Sequence, residues 1–319
     1  MNELFRKALV LTVICVLFLA CDIARASENL PIAIVTHDSL TSTIRTLKGA
    51  RKVITRDNPE VSFHTFLITD DANHNQNIAD SVVKIGPRVI LTVGSSATEF
   101  AQSNFANVPV VFSAVKYPVL SCFVESMDRP GRNITGASLD IPVKIQFTYF
   151  KMIVPNLRKV GVLYTNNTAD LIPQARVIAR KAGLELIPAL VDKPTELPPA
   201  LDSLASIADG LWSVADPNLF NPQSTRYILL NTLRKGIPFM GFSRHVVESG
   251  ALFALDFDYK AIGLQAGFTV NRIIKGEKPK NIPITLADII WFHYNEKTAE
   301  RINITIPEEL MAVAKEVYR

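Results

Sequence analysis

Ile32-Ala33-Ile34-Val35-Thr36 and, 128 residues further on, Val160-Gly161-Val162-Leu163-Tyr164 are apolar runs that open two copies of one pattern. Such repetition decides a fold, because each copy of a repeat builds the same supersecondary unit. The runs that follow the first are Val61 to Ile68, Val89 to Val93 and Val108 to Phe112; their counterparts, in the same order, are Leu184 to Leu190, Gly210 to Val214 and Ile237 to Met240. Val89-Ile90-Leu91 is apolar at successive positions, as in parallel strands covered on both faces. Between the runs, apolar residues recur at helical spacing: Ile44, Leu47, Ala50 and Ile54; Ile78, Val82 and Ile85; Ile172, Ala175, Ala179 and Ala182. Asn221-Pro222 reads as a helix N-cap followed by proline, and Gly183 and Gly236 fall where a left-handed C-cap is wanted. Each half is thus a doubly wound βαβ unit, and the chain is α/β with two Rossmann-like lobes built on parallel sheets.

Beyond the second copy come Leu252-Phe253-Ala254-Leu255, a helix from about Asp258 to Ile274, the stretch Ile284 to Trp291, and a terminal helix ending near Tyr318. These tail elements are expected to cross back between the lobes through a three-segment hinge near Leu139 to Pro142, Asp256 to Tyr259 and Pro283 to Asp288. Lobe 1 is then residues 27–140 plus about 258–284, and lobe 2 residues 141–257 plus about 285–319.

Residues 1–26 read as a signal peptide: Arg6 and Lys7 precede the apolar stretch Ala8 to Ala20, and Ala24-Arg25-Ala26 is a small-x-small cleavage site. A competing reading places lipid on Cys21, because Leu19-Ala20-Cys21 resembles a lipoprotein signal. Both routes export the chain, so a periplasmic location is expected. Losing Arg6, Lys7 and Arg25 against Glu3 and Asp22 lowers the net charge from +4 by one. The remaining basic residues form no stripe, which excludes a nucleic-acid surface of the usual kind. Cys122 is then the one cysteine left, so no internal disulfide forms, and it reads as a small buried hydrophobe.

In open α/β sheets ligands bind beyond the carboxyl ends of the strands. Here those positions carry Thr36-His37-Asp38, Gly94-Ser95-Ser96 and Ser113 with Lys116-Tyr117 in the first copy; the second has Thr165-Asn166-Asn167, Asp216-Pro217 and Ser243-Arg244-His245. The candidate ligand-binding residues are His37, Ser95, Ser96, Ser113, Tyr117, Thr165, Asn166, Asp216 and Ser243. Ser96 and Glu99 have capping-box spacing, so Ser96 either caps a helix or helps its free N–H groups take an anion. Asp216 either binds a solute or starts an Asp-Pro turn. Motifs for phosphate, dinucleotide or nucleophile chemistry are absent from the sequence, and His64 and His74 have no third metal ligand at suitable spacing. A binding protein without metal or cofactor, and not an enzyme, is expected.

The mature chain resembles the ABC-transporter substrate-binding family that includes tryptophan- and tyrosine-binding periplasmic proteins, over essentially all of residues 30 to 310. The resemblance rests on the order of Val108-Pro109-Val110-Val111-Phe112-Ser113-Ala114-Val115, Arg132-Asn133-Ile134-Thr135-Gly136, Val160-Gly161-Val162-Leu163-Tyr164, Ile237-Pro238-Phe239-Met240, Glu248-Ser249-Gly250-Ala251-Leu252 and Ile274-Lys275-Gly276-Glu277-Lys278-Pro279. It implies a type I periplasmic-binding fold, hinge closure on one small polar solute, an amino acid or related molecule among the candidates, and a membrane permease with ATPase as partners. A monomer is expected. The alternative on the same fold is a periplasmic sensor subunit signalling to a transmembrane kinase or cyclase. The chain departs from the family at Thr165 to Asp170, where an Asn-Pro-x-Glu-x-Asn-Ser-like loop is usual, and at Lys116-Tyr117-Pro118, where a Thr-Asp-Pro-like triplet is usual.

Overall fold

A computed structural model describes residues 30–319; the expected signal peptide, residues 1–26 with Cys15 and Cys21, lies outside the described residues. The chain packs as two units. The first comprises residues through Ser113, Phe123–Gly136 and Gly263–Pro283, and the second Ala114–Cys122, Ala137–Ile262 and Ile284–Arg319. Ala114–Cys122, expected in the first lobe, packs with the second unit.

In the first unit β1 (Leu30–Thr36), β2 (Val61–Leu67), β3 (Val89–Val93), β4 (Val110–Val115) and β5 (Ile134–Ser138) form a sheet in the order β2-β1-β3-β4-β5. β1 runs parallel to β2 and β3, and β3 to β4. The crossovers are α1 (Thr41–Asp57), α2 (Ala72–Ile85) and α3 (Ser95–Asn104). All of β3 is buried, whereas edge strand β2 is partly exposed, as the run of successive apolar residues in β3 requires.

The second unit holds α4 (Val143–Ile153), β6 (Lys159–Tyr164), α5 (Leu171–Lys181), β7 (Glu185–Leu190), α6 (Leu197–Ile207), β8 (Gly210–Ser213), α7 (Pro222–Arg234), β9 (Phe239–Gly241), α8 (Arg244–Glu248) and β10 (Phe253–Phe257). After α9 (Tyr259–Ile274), whose greater part belongs to the first unit, come β11 (Ile290–Asn295), α10 (Glu296–Arg301), α11 (Glu308–Ala312) and β12 (Ala314–Tyr318). The sheet order is β12-β11-β10-β9-β8-β6-β7, so β7-β6-β8-β9-β10 repeats the order of the first sheet. β11 is antiparallel to β10, and β12 pairs parallel with β11. The expected terminal helix is therefore corrected to a strand. Val317 and Tyr318 find ladder partners in Tyr294 and Asn295, and that pairing outweighs the helical leaning of Met311 to Val317.

Asn221 caps α7 by accepting from Gln223 and Ser224 N–H, and Gly183 and Gly236 take φ of 74° and 68°, as their positions in sequence predict. The second core centres on α4. Phe147 meets Trp212 edge-on at 5.2 Å, and Phe150 meets Phe253 at 5.3 Å, while Trp212 Nε1 donates to Gln146 Oε1 at 2.6 Å. Each such buried ring contributes about 2 kcal/mol from area alone.

Against the first unit, α9 packs unusually close to α1. A Cβ on Gly263 would lie 1.9 Å from Thr46 O, and one on Gly267 2.7 Å from Ala50 O. This approach turns the Thr43, Thr46, Ala50 and Val53 face of α1 inward and leaves Ile44 57% exposed, although the sequence placed Ile44 on the apolar face. Among the described residues no helix is long and apolar enough to cross a membrane. Cys122 is exposed, in a turn where its N–H bonds Val119 O at 3.0 Å, so the expectation of a buried thiol is corrected.

Candidate functional site

Parallel pairing puts the carboxyl ends of β1, β3 and β4 on one edge of the first sheet. There His37 is exposed, its Nε2 3.5 Å from Asp70 Oδ1. Ser95 and Ser96 are exposed in the first turn of α3. Gly94, with φ of 87°, is the N-cap, and no side-chain cap is made, so the expected Ser96–Glu99 capping box is absent. Helix entry through a left-handed glycine starts α3 one residue too early for Ser96 to sit at the cap; Thr98 Oγ1 instead bonds Gly94 O at 2.9 Å. The first-turn N–H groups of a helix lack intrahelical partners, so this end keeps its capacity for an anion. Ser113 lies within β4 opposite Val93, fully buried, and its hydroxyl has no hydrogen-bond partner among the described residues. It is not at a strand end: β4 starts and stops later than the sequence suggested.

In the second unit the structure brings Thr165, Asp216 and Tyr117 together. Asp216 is 1% exposed. Its Oδ2 accepts from Thr165 N (3.2 Å), Thr165 Oγ1 (2.8 Å) and Thr168 Oγ1 (2.7 Å), and its Oδ1 accepts from Asn218 N (3.0 Å) and Leu219 N (3.4 Å). This carboxylate ties the loop after β6 to the loop after β8. Asn166 is exposed on the same edge, its amide donating to Asp192 Oδ2 at 2.6 Å. Ser243 is half-buried at the start of α8 and makes no side-chain cap. Arg244 turns its guanidinium to Glu316 at 3.2 Å.

Across the carboxyl edge of β8, β9 and β10 runs the segment from Ala114, and its backbone is strained. Ala114, Tyr117 and Cys122 have φ of 58°, 53° and 55°, three of the four positive values at non-glycine positions among the described residues. Such conformations cost on the order of 1–3 kcal/mol each and gather at functional sites. Asp140 holds the turn, accepting Tyr117 N–H at 2.9 and 3.2 Å. The Lys116 ammonium lies 5.7 Å from the Phe242 ring and 5.8 Å from Phe257, with Asp256 and Asp140 the charges facing it. Asp256 is 6% exposed and accepts from Arg244 N (3.2 Å) and Phe257 N (2.8 Å).

Burial dominates the electrostatics here. It lowers the Lys116 pKa against the pull of both carboxylates, and it raises Asp140 against the hydrogen bonds from Tyr117 and Ser138. It also pushes the Tyr117 phenol up, with Asp140 adding to the shift, and moves Tyr259 up to about 12. Asp140, Phe242 and Phe257 were missed in the sequence, whereas Lys116 was read at a strand end beside Tyr117 but not chosen as a ligand-binding residue. The rule that finds ligands beyond strand ends, applied also to β5 and β10, points to Asp140 and Asp256.

Known proteins resemble this chain throughout its described length. A tyrosine-binding protein of Clostridioides difficile is 24% identical over 253 residues, covering 78% of this chain and 72% of that protein. A Streptococcus pneumoniae ABC domain solved in complex with L-Trp superposes with a TM-score of 0.68 at 22% identity, covering 91% of this chain and all of that one. The ligand-free, open structure of a substrate-binding protein with adhesive properties from Clostridium difficile gives 0.76 at 19% identity, over 91% and 99%. The fold is that of type I periplasmic-binding proteins. Residues 31–318 match the ABC transporter substrate binding protein family, and the chain belongs to it.

Proposed function

We propose that this chain is the solute-binding component of an ABC importer, which captures a small polar solute in the periplasm and delivers it to a permease and its ATPase. The observation that carries the reading is the charged and aromatic edge of the second sheet, where Lys116, Asp140 and Asp256 converge with Phe242 and Phe257. A few convergent polar groups on an apolar lining suit a small molecule with both characters. The solute class is an amino acid or a related molecule; tyrosine and tryptophan, bound by the relatives above, are the first to try. Export proceeds with cleavage after Ala26 or with lipid on Cys21, and the intact mass of the exported chain separates the two.

The test is a thermal-shift screen of the mature protein against amino acids, sugars, nucleosides and organic acids, since a ligand that binds only the folded state raises its melting temperature. A rise of several degrees with one chemical class, repeated by calorimetry, supports the reading. No rise with any solute removes it.

A further inference from the structure

Lys116 is a cation whose hydrogen bonds are not made by the protein. Its ammonium has three N–H donors, yet among the described residues it has aromatic rings beside it and no direct hydrogen-bond or ion-pair partner. The two carboxylates that face it are already engaged: Asp140 by Tyr117 N–H, Asp256 by the N–H groups of Arg244 and Phe257. The strained turn that presents Lys116 is fastened by the same Asp140, so the ammonium is held beside Phe242 and Phe257 at a conformational cost. Lys116 is half-buried, so its ammonium, held beside the rings, has less water around it than a surface lysine and gains a strong charge-assisted hydrogen bond when an anionic oxygen arrives. A solute ammonium at the same place would add a like charge.

We infer that Lys116 is the specificity-determining residue that pairs with a carboxylate of the solute, whose apolar body lies against Phe242 and Phe257. The inference rests on the solute-binding reading and narrows it to carboxylate-bearing molecules. In a zwitterionic solute the ammonium is then placed towards the second lone pairs of Asp140 and Asp256.

The test is a cycle that alters protein and solute separately. Binding of L-tyrosine and L-tryptophan, of their decarboxylated amines tyramine and tryptamine, and of 3-phenylpropionate is measured by calorimetry on the wild type and on Lys116→Met. Methionine keeps an unbranched apolar side chain at this position without the charge. In the wild type, loss of the carboxylate is expected to weaken binding at least about tenfold. In Lys116→Met the acids weaken by a similar factor and that preference disappears. Lys116→Gln serves the same comparison if the methionine variant does not melt cooperatively, and Lys116→Arg should retain a preference for acids. An equal preference for acids in the wild type and both neutral variants overturns the inference. So does a wild type that binds only neutral sugars or nucleosides, although solute binding then stands. A wild type that binds none of these probes and no solute of the thermal-shift screen removes the solute-binding reading and the inference with it.

Discussion

Asp216 shows how the surroundings of one side chain redirect an expectation. At a strand end before proline it offers itself to a solute, but with 1% exposure and donors on both oxygens it serves the fold. Asp216→Ala would leave the hydroxyls of Thr165 and Thr168 and several backbone N–H groups unpaired in a buried loop. We expect the variant to lose about 3 kcal/mol in urea unfolding, within the range for breaking a buried charged network. Asp216→Asn keeps one acceptor oxygen and should lose less. An alanine variant as stable as the wild type would return Asp216 to the role of a solute contact. Lys116 is the converse case. In sequence it stands in a loop beyond a strand end, and nothing near it announces the rings of Phe242 and Phe257 that flank it.

Among the elements, strands were more legible than helix faces. β1, β3 and β6 lie close to where the apolar runs put them, because a doubly covered strand needs successive apolar residues and few other segments do. The face of α1 was half legible: Ala50 and Ile54 of the expected stripe are fully buried, but Ile44 is exposed. α9 brings its glycines to Thr46 and Ala50, and the buried stripe is shifted to include Thr43, Thr46 and Val53 in place of Ile44. The close approach makes a prediction: Gly263→Ala places a methyl group against the Thr46 carbonyl and should cost about 3 kcal/mol, measured by chemical denaturation, as overpacking does. Gly267→Ala, at 2.7 Å from Ala50 O, should cost less. Equal stability of both variants with the wild type would mean that α1 and α9 separate freely. The start of α3 was half legible: the helix was expected near Ser96, but its cap is Gly94, whose φ of 87° no capping-box spacing records.

For the whole molecule, the proposed hinges near residues 139–142, 256–259 and 283–288 predict that a saturating solute reduces the radius of gyration in small-angle scattering. Profiles that superpose with and without a solute shown to bind would rule out closure. The sequence by itself determined the α/β class, the repeated order of strands and the strand-end address of the candidate polar residues other than Ser113. These follow from short-range periodicity and from a pattern that occurs twice. Only the tertiary structure decided that Asp216 is consumed within its own loops, that Lys116 is left without acceptors, that α1 buries its threonine face and that the chain ends in a strand. Each of these depends on a partner distant in the chain, and the local spacing of residues carries no record of which distant group will arrive.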